Sequence, residues 1–472
     1  MILLLDNYDS ESRQLHTAFQ LSGKSVPAVV LTEDGFLPPD IVSVYGSFLG
    51  DFSTVVREDG SSRVAKFLGI EDQNGSPTEK KMLEPLYFNE LRVPEFWEIK
   101  AGYSYGRIID QGRECGRIYY ADPKELRFVK MVDWLDRHQT TRVREYYNRY
   151  GICFARAIFN ERQEPLNKTY FNTKEEEVLT ENFVTGAITL KDRKKLSVFA
   201  SKRDFIIYFL EKEGLIEERL LYNSLSTPFL VSEELGRRYP SDRDRDVLFW
   251  HEPVKEELPG NMQIILSGKA TRTGKIYVQE TDAYQAMKKM IPGVEAIQPL
   301  GYIYSFKRET KYRKTALICT NSDQIEHLEM IVKELSEVQF FIVSRTEMSE
   351  KLTRLESASN VELYPGATKQ EVAELFLICD LYLDINYKEE IFSAVESAFL
   401  HHQLIMAFYE TVHRKRYVAR ENCYEKNQAK EMIGKLKTVL SNTDVWKELL
   451  ERQCEHAMAE TVESFQEKIQ EI

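Results

Sequence analysis

Five short apolar runs decide the fold: Ala316-Leu-Ile-Cys-Thr320, Phe340-Phe-Ile-Val343, Val361-Glu-Leu-Tyr364, Leu381-Tyr-Leu-Asp-Ile385 and Leu404-Ile-Met-Ala407. Each is too short and too evenly apolar to be a helix, and reads as a strand buried on both faces. The segments between them, 324–335, 349–355, 370–378 and 391–400, carry apolar residues at helical spacing. Strands alternating with helices require parallel pairing, because each helix carries the chain back across the sheet.

The same rhythm opens the chain. Residues 2–5 read as a strand, a helix follows from Asp9 or Ser10 and closes at Gly23, and 26–31 form a second strand. After a turn-rich stretch at 33–39, helical periodicity disappears. From about 57 to 196 the chain shows short β-branched and aromatic runs parted by Gly, Asn and Pro, the pattern of an antiparallel meander. Alternation resumes with a helix at 204–213 and strands at 219–222 and, after a charged loop, 247–250. Strands at 262–266 and 275–278 and a helix at 283–290 follow. A basic link, 307–314, leads into the five-strand unit, and 429–472 reads as helices, the last polar and acidic. The expected fold is therefore α/β, with two Rossmann-like domains and a β-meander inserted in the first. The domains are 1–56 with 197–310, 57–196 as the insertion, 311–455, and a helical tail at 456–472. In such a pair the ligand crevice is expected at the carboxyl ends of the strands.

The 472 residues carry 63 Lys and Arg against 75 Asp and Glu, a net charge of −12. That balance argues against a nucleic-acid partner, and the 43% hydrophobic content excludes a disordered chain. The apolar start ends at Asp6 with no basic region before it, so it reads as a strand and not a signal peptide. The apolar stretch 375–383 is interrupted by Asp380 and is too short to span a bilayer. Six dispersed cysteines without a C-x-x-C fit reduced thiols, and a cytoplasmic location is expected. No metal is expected: eight histidines are scattered, and the adjacent His401 and His402 point to different faces of their helix. No cofactor is expected either. A G-x-G-x-x-G is missing, and the near-miss phosphate loops at 268–275 and 18–25 have wrong spacing or lack the upstream glycine.

Two turns of the second unit carry the candidate chemistry. Thr320-Asn321-Ser322-Asp323-Gln324-Ile325-Glu326 reads as a capped helix start that could face a diphosphate, though Asn321 and Ser322 stand where a transferase needs cations. Asp384-Ile385-Asn386-Tyr387-Lys388-Glu389-Glu390-Ile391-Phe392-Ser393-Ala394-Val395-Glu396 is the more informative turn. Retaining transferases of two α/β domains place a Glu here, seven residues, then a second Glu. Counting back from Glu396 gives Lys388, and the glycines that admit a donor are absent around Phe392. A lysine in place of a carboxylate reverses the local charge, so Lys388, Glu396, Asn386, Asn321 and Ser322 form a candidate degenerate donor site with no catalytic residue. Arg142, Arg144, Tyr146, Tyr147 and Arg149 form a candidate partner or acceptor surface on the meander. His413-Arg414-Lys415-Arg416 is a compact basic run, read as a solvated face or as a docking point for an acidic partner or lipid headgroup.

Several further stretches carry a resemblance. Asp34-Gly35-Phe36-Leu37-Pro38, Val93-Pro94-Glu95-Phe96-Trp97-Glu98-Ile99, Asn223-Ser224-Leu225-Ser226-Thr227-Pro228-Phe229, Leu248-Phe249-Trp250-His251-Glu252, Leu300-Gly301-Tyr302-Ile303-Tyr304 and Thr346-Glu347-Met348-Ser349 are among them. Together with the 320–326 and 383–386 turns they are similar, in order along nearly the whole chain, to the stabilising subunit of the bacterial complex that O-glycosylates serine-rich repeat adhesins. The resemblance implies a glycosyltransferase-B-like fold and a chain without transferase activity of its own. It implies a hetero-oligomer, such as a heterotetramer, with a homologous catalytic subunit that transfers N-acetylglucosamine from UDP-N-acetylglucosamine to Ser and Thr. It also implies binding of the adhesin acceptor, contact between the two subunits' meander domains, and a place in accessory secretion, with peripheral contact at the cytoplasmic face of the membrane as an open question. The alternatives are an active retaining glycosyltransferase, and a module that recognises repeats already glycosylated.

Overall fold

The computed structural model describes residues 1–54, 84–102, 104–192, 195–240, 245–470 and 472. Two compact units emerge: 1–16 with 25–249 and 259–275, and 17–24 with 250–258 and 276–472. The expected boundary at 57 lies outside the described residues.

The N-terminal strand Ile2–Leu5 is central to a seven-stranded sheet ordered Ile297–Pro299, Thr273–Val278, Asp246–Trp250, Leu220–Tyr222, Ile2–Leu5, Ala28–Val30, Val42–Ser43. Its strands from Leu220–Tyr222 to Val42–Ser43 pair in parallel. The order reverses beside Ile2–Leu5, which makes this a doubly wound sheet. Between Val42–Ser43 and the return of the sheet at Leu220 lies the expected insertion, a ten-stranded antiparallel sheet from Glu98–Lys100 to Lys195–Phe199 in which every strand pairs with its sequence neighbours. It is fastened to the first sheet's loops at Gly35, whose carbonyl accepts the Arg149 N–H at 2.8 Å. Gly35 has φ +81°, and a Cβ there would meet the Tyr147 carbonyl oxygen at 2.5 Å. Only glycine permits that approach.

The second unit holds a six-stranded sheet, ordered Val361–Tyr364, Gln339–Val343, Thr315–Cys319, Leu381–Asp384, Leu404–Phe408, Cys423–Tyr424. All its pairs are parallel. Alternate side chains feed two separate cores: Ala316, Ile318, Phe340 and Ile342 pack with the helices of one face, and Leu317, Cys319, Phe341 and Val343 with those of the other. That two-sided burial is why the five runs read as continuous apolar stretches.

Four expectations need correction. Residues 262–266 belong to a helix, Gly260–Leu266, because Met262 and Ile265 place one apolar face inward at helical spacing. The stretch taken as a charged loop before 247 contains the helix Thr227–Arg238, begun by Pro228 and seated on Phe229, Val231 and Leu235. The basic link is not a free linker. Buried Asp380 accepts from Arg308 Nη1 at 2.6 Å, Arg313 Nε at 3.1 Å and the Arg313 N–H at 2.7 Å, and so staples 308–313 to the second sheet. The final helix, Val462–Lys468, is amphipathic and not wholly polar: Phe465 and Ile469 are fully buried, with the Phe465 ring edge-on to Phe19 at 5.6 Å.

Candidate functional site

In the six-stranded sheet the order reverses between Thr315–Cys319 and Leu381–Asp384, so the turns that follow these strands flank the topological switch point, where doubly wound folds bind ligands. Asn321, Ser322, Asn386 and Lys388 all stand on these two turns. This is the turn pair that the sequence reading named as a candidate donor position.

The first turn does not open a helix. Ile325 forms an antiparallel bridge with Asn386, the Glu326 N–H reaches the Ile385 carbonyl at 2.8 Å and the Tyr387 N–H reaches the Gln324 carbonyl at 3.1 Å. The helix starts only at Leu328, preceded by His327 at φ +53°. Of the backbone N–H groups of this turn, that of Glu326 is thus spent on the neighbouring turn, and those of Ser322 and Gln324 on the hydroxyls of Thr320, at 3.1 Å, and Ser322, at 3.2 Å. Asp323 does not cap a helix but accepts from Ser349 Oγ at 2.9 Å. Asn321 and Ser322 line a cleft of about 220 Å³ with Asp323, Ser344, Thr346, Glu347, Met348, Ser349 and Leu352. This lining contains two carboxylates and no Lys or Arg, which is the wrong charge for a pyrophosphate. Lys388 and Glu396 are not part of it.

On the second turn Lys388 is exposed, and it is its carbonyl that is engaged, accepting from Asn386 Nδ2 at 3.1 Å and from His413 Nε2 at 2.6 Å. Asn386 is buried, and its Oδ1 has no partner among the described residues. Glu396, in the first turn of the helix Ala394–Leu400, accepts from Arg414 Nη1 at 3.0 Å. The same guanidinium donates Nε to Glu390 at 2.8 Å, and the other oxygen of Glu390 accepts the Val395 N–H at 2.8 Å. A side-chain carboxylate therefore occupies the N-terminal backbone of this helix, and the one Arg414 guanidinium bridges the two carboxylates. Just ahead of the helix, Phe392 at φ +58° and Ser393 at φ +47° adopt the left-handed conformation that glycines favour. The turn keeps a glycine-loop path but fills it with side chains, and the Phe392 ring carries the Arg345 guanidinium at 4.5 Å.

Beneath the turn, Asp384 ends its strand fully buried and accepts from His413 twice, from the backbone N–H at 2.8 Å and from Nδ1 at 2.6 Å. Burial pushes the Asp384 carboxyl up. At His413 burial pulls the other way, but the contact with Asp384 outweighs it and lifts the imidazole to about 9. The ring is charged at neutral pH and clamps Asp384 to the Lys388 carbonyl. A group whose pKa rises on folding contributes stability that is complete below its unfolded value near 6.5 and is lost as pH climbs through the folded one. His413→Asn is expected to cost about 2 kcal/mol at pH 7, after allowance for the ring's partial exposure. The gap to the unmodified chain, read as urea midpoints, should shrink between pH 7 and 10. A gap independent of pH would contradict the ion pair.

Arg416 pairs with Glu280, so three of the four side chains in the basic run 413–416 are turned to acids within the chain, and Lys415 alone is exposed. This run is neither a solvated face nor a free basic patch. Its sequence neighbours conceal the reason, since every acid it meets lies at least 18 positions away.

The meander candidates divide by strand face. On the strand Thr141–Tyr147, Arg142, Arg144 and Tyr146 share one side, while Tyr147 points to the other, where it is buried in the sheet's core with Trp134, Val132 and Ile118. Arg144 is bound by Asp133, its Nη2 at 2.7 Å, and the Tyr146 ring carries Lys168 Nζ at 3.8 Å. Arg149 Nη2 donates to the carbonyls of Phe36, at 2.7 Å, and Leu37. It is thus a fastening between the insertion and the first sheet's loops. Arg142 Nη1 is buried without a partner among the described residues. Lys168 itself was not anticipated from sequence: seated over Tyr146 and Tyr170, it is drawn down by burial to about 8.

Two doubly wound sheets with a meander inserted in the first define a glycosyltransferase-B-like fold. Comparison with known proteins agrees with this class. Four domain families match in chain order: the GtfB N-terminal domain at 2–48, the GtfB middle domain at 97–200, the GtfB third domain at 202–290, and the GftB/GlyA-F C-terminal domain at 316–453. The chain is 37% identical to the UDP-N-acetylglucosamine–peptide N-acetylglucosaminyltransferase stabilizing protein GtfB of Streptococcus gordonii, over 100% of this chain and 99% of that protein. It is 38% identical to the protein of the same name from Streptococcus agalactiae, over 99% and 98%. It superposes on a chain in the crystal structure of a GtfA/B complex bound to UDP and GlcNAc with a TM-score of 0.87 at 37% identity, covering 100% of both. The pneumococcal O-GlcNAc transferase GtfA shares the fold, with a TM-score of 0.53 at 12% identity, over 100% and 99%. The chain belongs to the GtfB stabilizing-protein family.

Proposed function

We propose that this chain is the non-catalytic, stabilising subunit of a protein O-glycosylation complex. It joins a homologous catalytic subunit that transfers N-acetylglucosamine from UDP-N-acetylglucosamine to Ser and Thr, and it binds the serine-rich repeat acceptor that the complex modifies. The observation that carries the absence of catalysis is Arg414 lodged between Glu390 and Glu396, with Glu390 on the Val395 N–H and Lys388 turned to solvent. Reaching a donor there would mean breaking three charge-assisted bonds. The family membership supports the rest: the full-length relative is named for stabilising the transferase, and the superposed chain comes from a complex with GtfA. The place of action is the cytoplasm. Among the described residues no helix is long and apolar enough to cross a membrane, and contact with a membrane surface would have to use residues other than His413, Arg414 and Arg416, which are already paired.

Calorimetric titration of UDP-N-acetylglucosamine into the isolated chain tests the closed donor position. No saturable heat is expected up to millimolar donor, and a dissociation constant in the micromolar range would contradict the reading.

A further inference from the structure

We draw no further inference here: the strongest candidate, the outer strand Lys195–Phe199 of the ten-stranded sheet, whose Leu196 and Val198 are exposed, carries none because nothing in the structure shows what covers it.

Discussion

Asp380→Ala is expected to destabilise the chain by about 3–5 kcal/mol, because it strips a fully buried carboxylate from two guanidinium groups and leaves their charges in a low-dielectric site. Breaking such a pair costs more than the pair itself is worth. Arg308 and Arg313 would lose their acceptor, and the 308–313 segment its fastening to the second sheet. Burial alone would raise the Asp380 carboxyl, but Arg313 and Arg308 outweigh it and hold the group below its ordinary value. The sign of the pH effect follows. A carboxyl depressed on folding contributes stability that is complete above its unfolded value near 4 and is lost as pH falls through the folded one. Urea denaturation at pH 7 and at pH 3 checks both statements: the difference between Asp380→Ala and the unmodified chain should be large at the first and smaller at the second. A loss below about 1 kcal/mol at pH 7 would mean that the segment is held by other contacts.

Lys388→Glu is expected to leave the isolated chain without transferase activity, although it restores the carboxylate spacing. Restoring one charge does not open the position. Glu396 would still be held by Arg414, Glu390 would still occupy the Val395 N–H, and the Glu326 N–H of the neighbouring turn would still be bound to the Ile385 carbonyl. The variant is incubated with UDP-N-acetylglucosamine and a serine-rich acceptor, and free UDP and acceptor mass are followed. Detectable turnover from this single change would show that Lys388 was the sole obstacle and that the internal ion pairs are easily displaced.

What sequence made legible follows from where each signal lies. The parallel strands were legible because two-sided burial demands unbroken apolar runs, as in Ala316 to Cys319. The ten-stranded meander was legible because its turns carry Gly and Asn at hairpin spacing. Lys388 could be singled out because the expected pair of carboxylates sits within one turn and helix. The pairs that close the site were not: Asp384 and His413 lie 29 positions apart, Glu396 and Arg414 18, and only the fold brings them together. The helix start at 324 misled because Asp323 and Glu326 have capping-box spacing, yet the bridge to Asn386 won the same backbone groups. Tyr147 could have been separated from Arg144 and Tyr146 by strand alternation alone, since adjacent residues of a strand face opposite sides. The basic run 413–416 misled because charge that is clustered in sequence need not be clustered at the surface.

The most direct test of the central claim is intact-mass analysis of a serine-rich repeat acceptor incubated with UDP-N-acetylglucosamine and this chain alone, the catalytic subunit alone, or both. The predicted result is no added sugar with this chain alone, and more sugar with both than with the catalytic subunit alone. Sugar added by this chain alone would contradict the account.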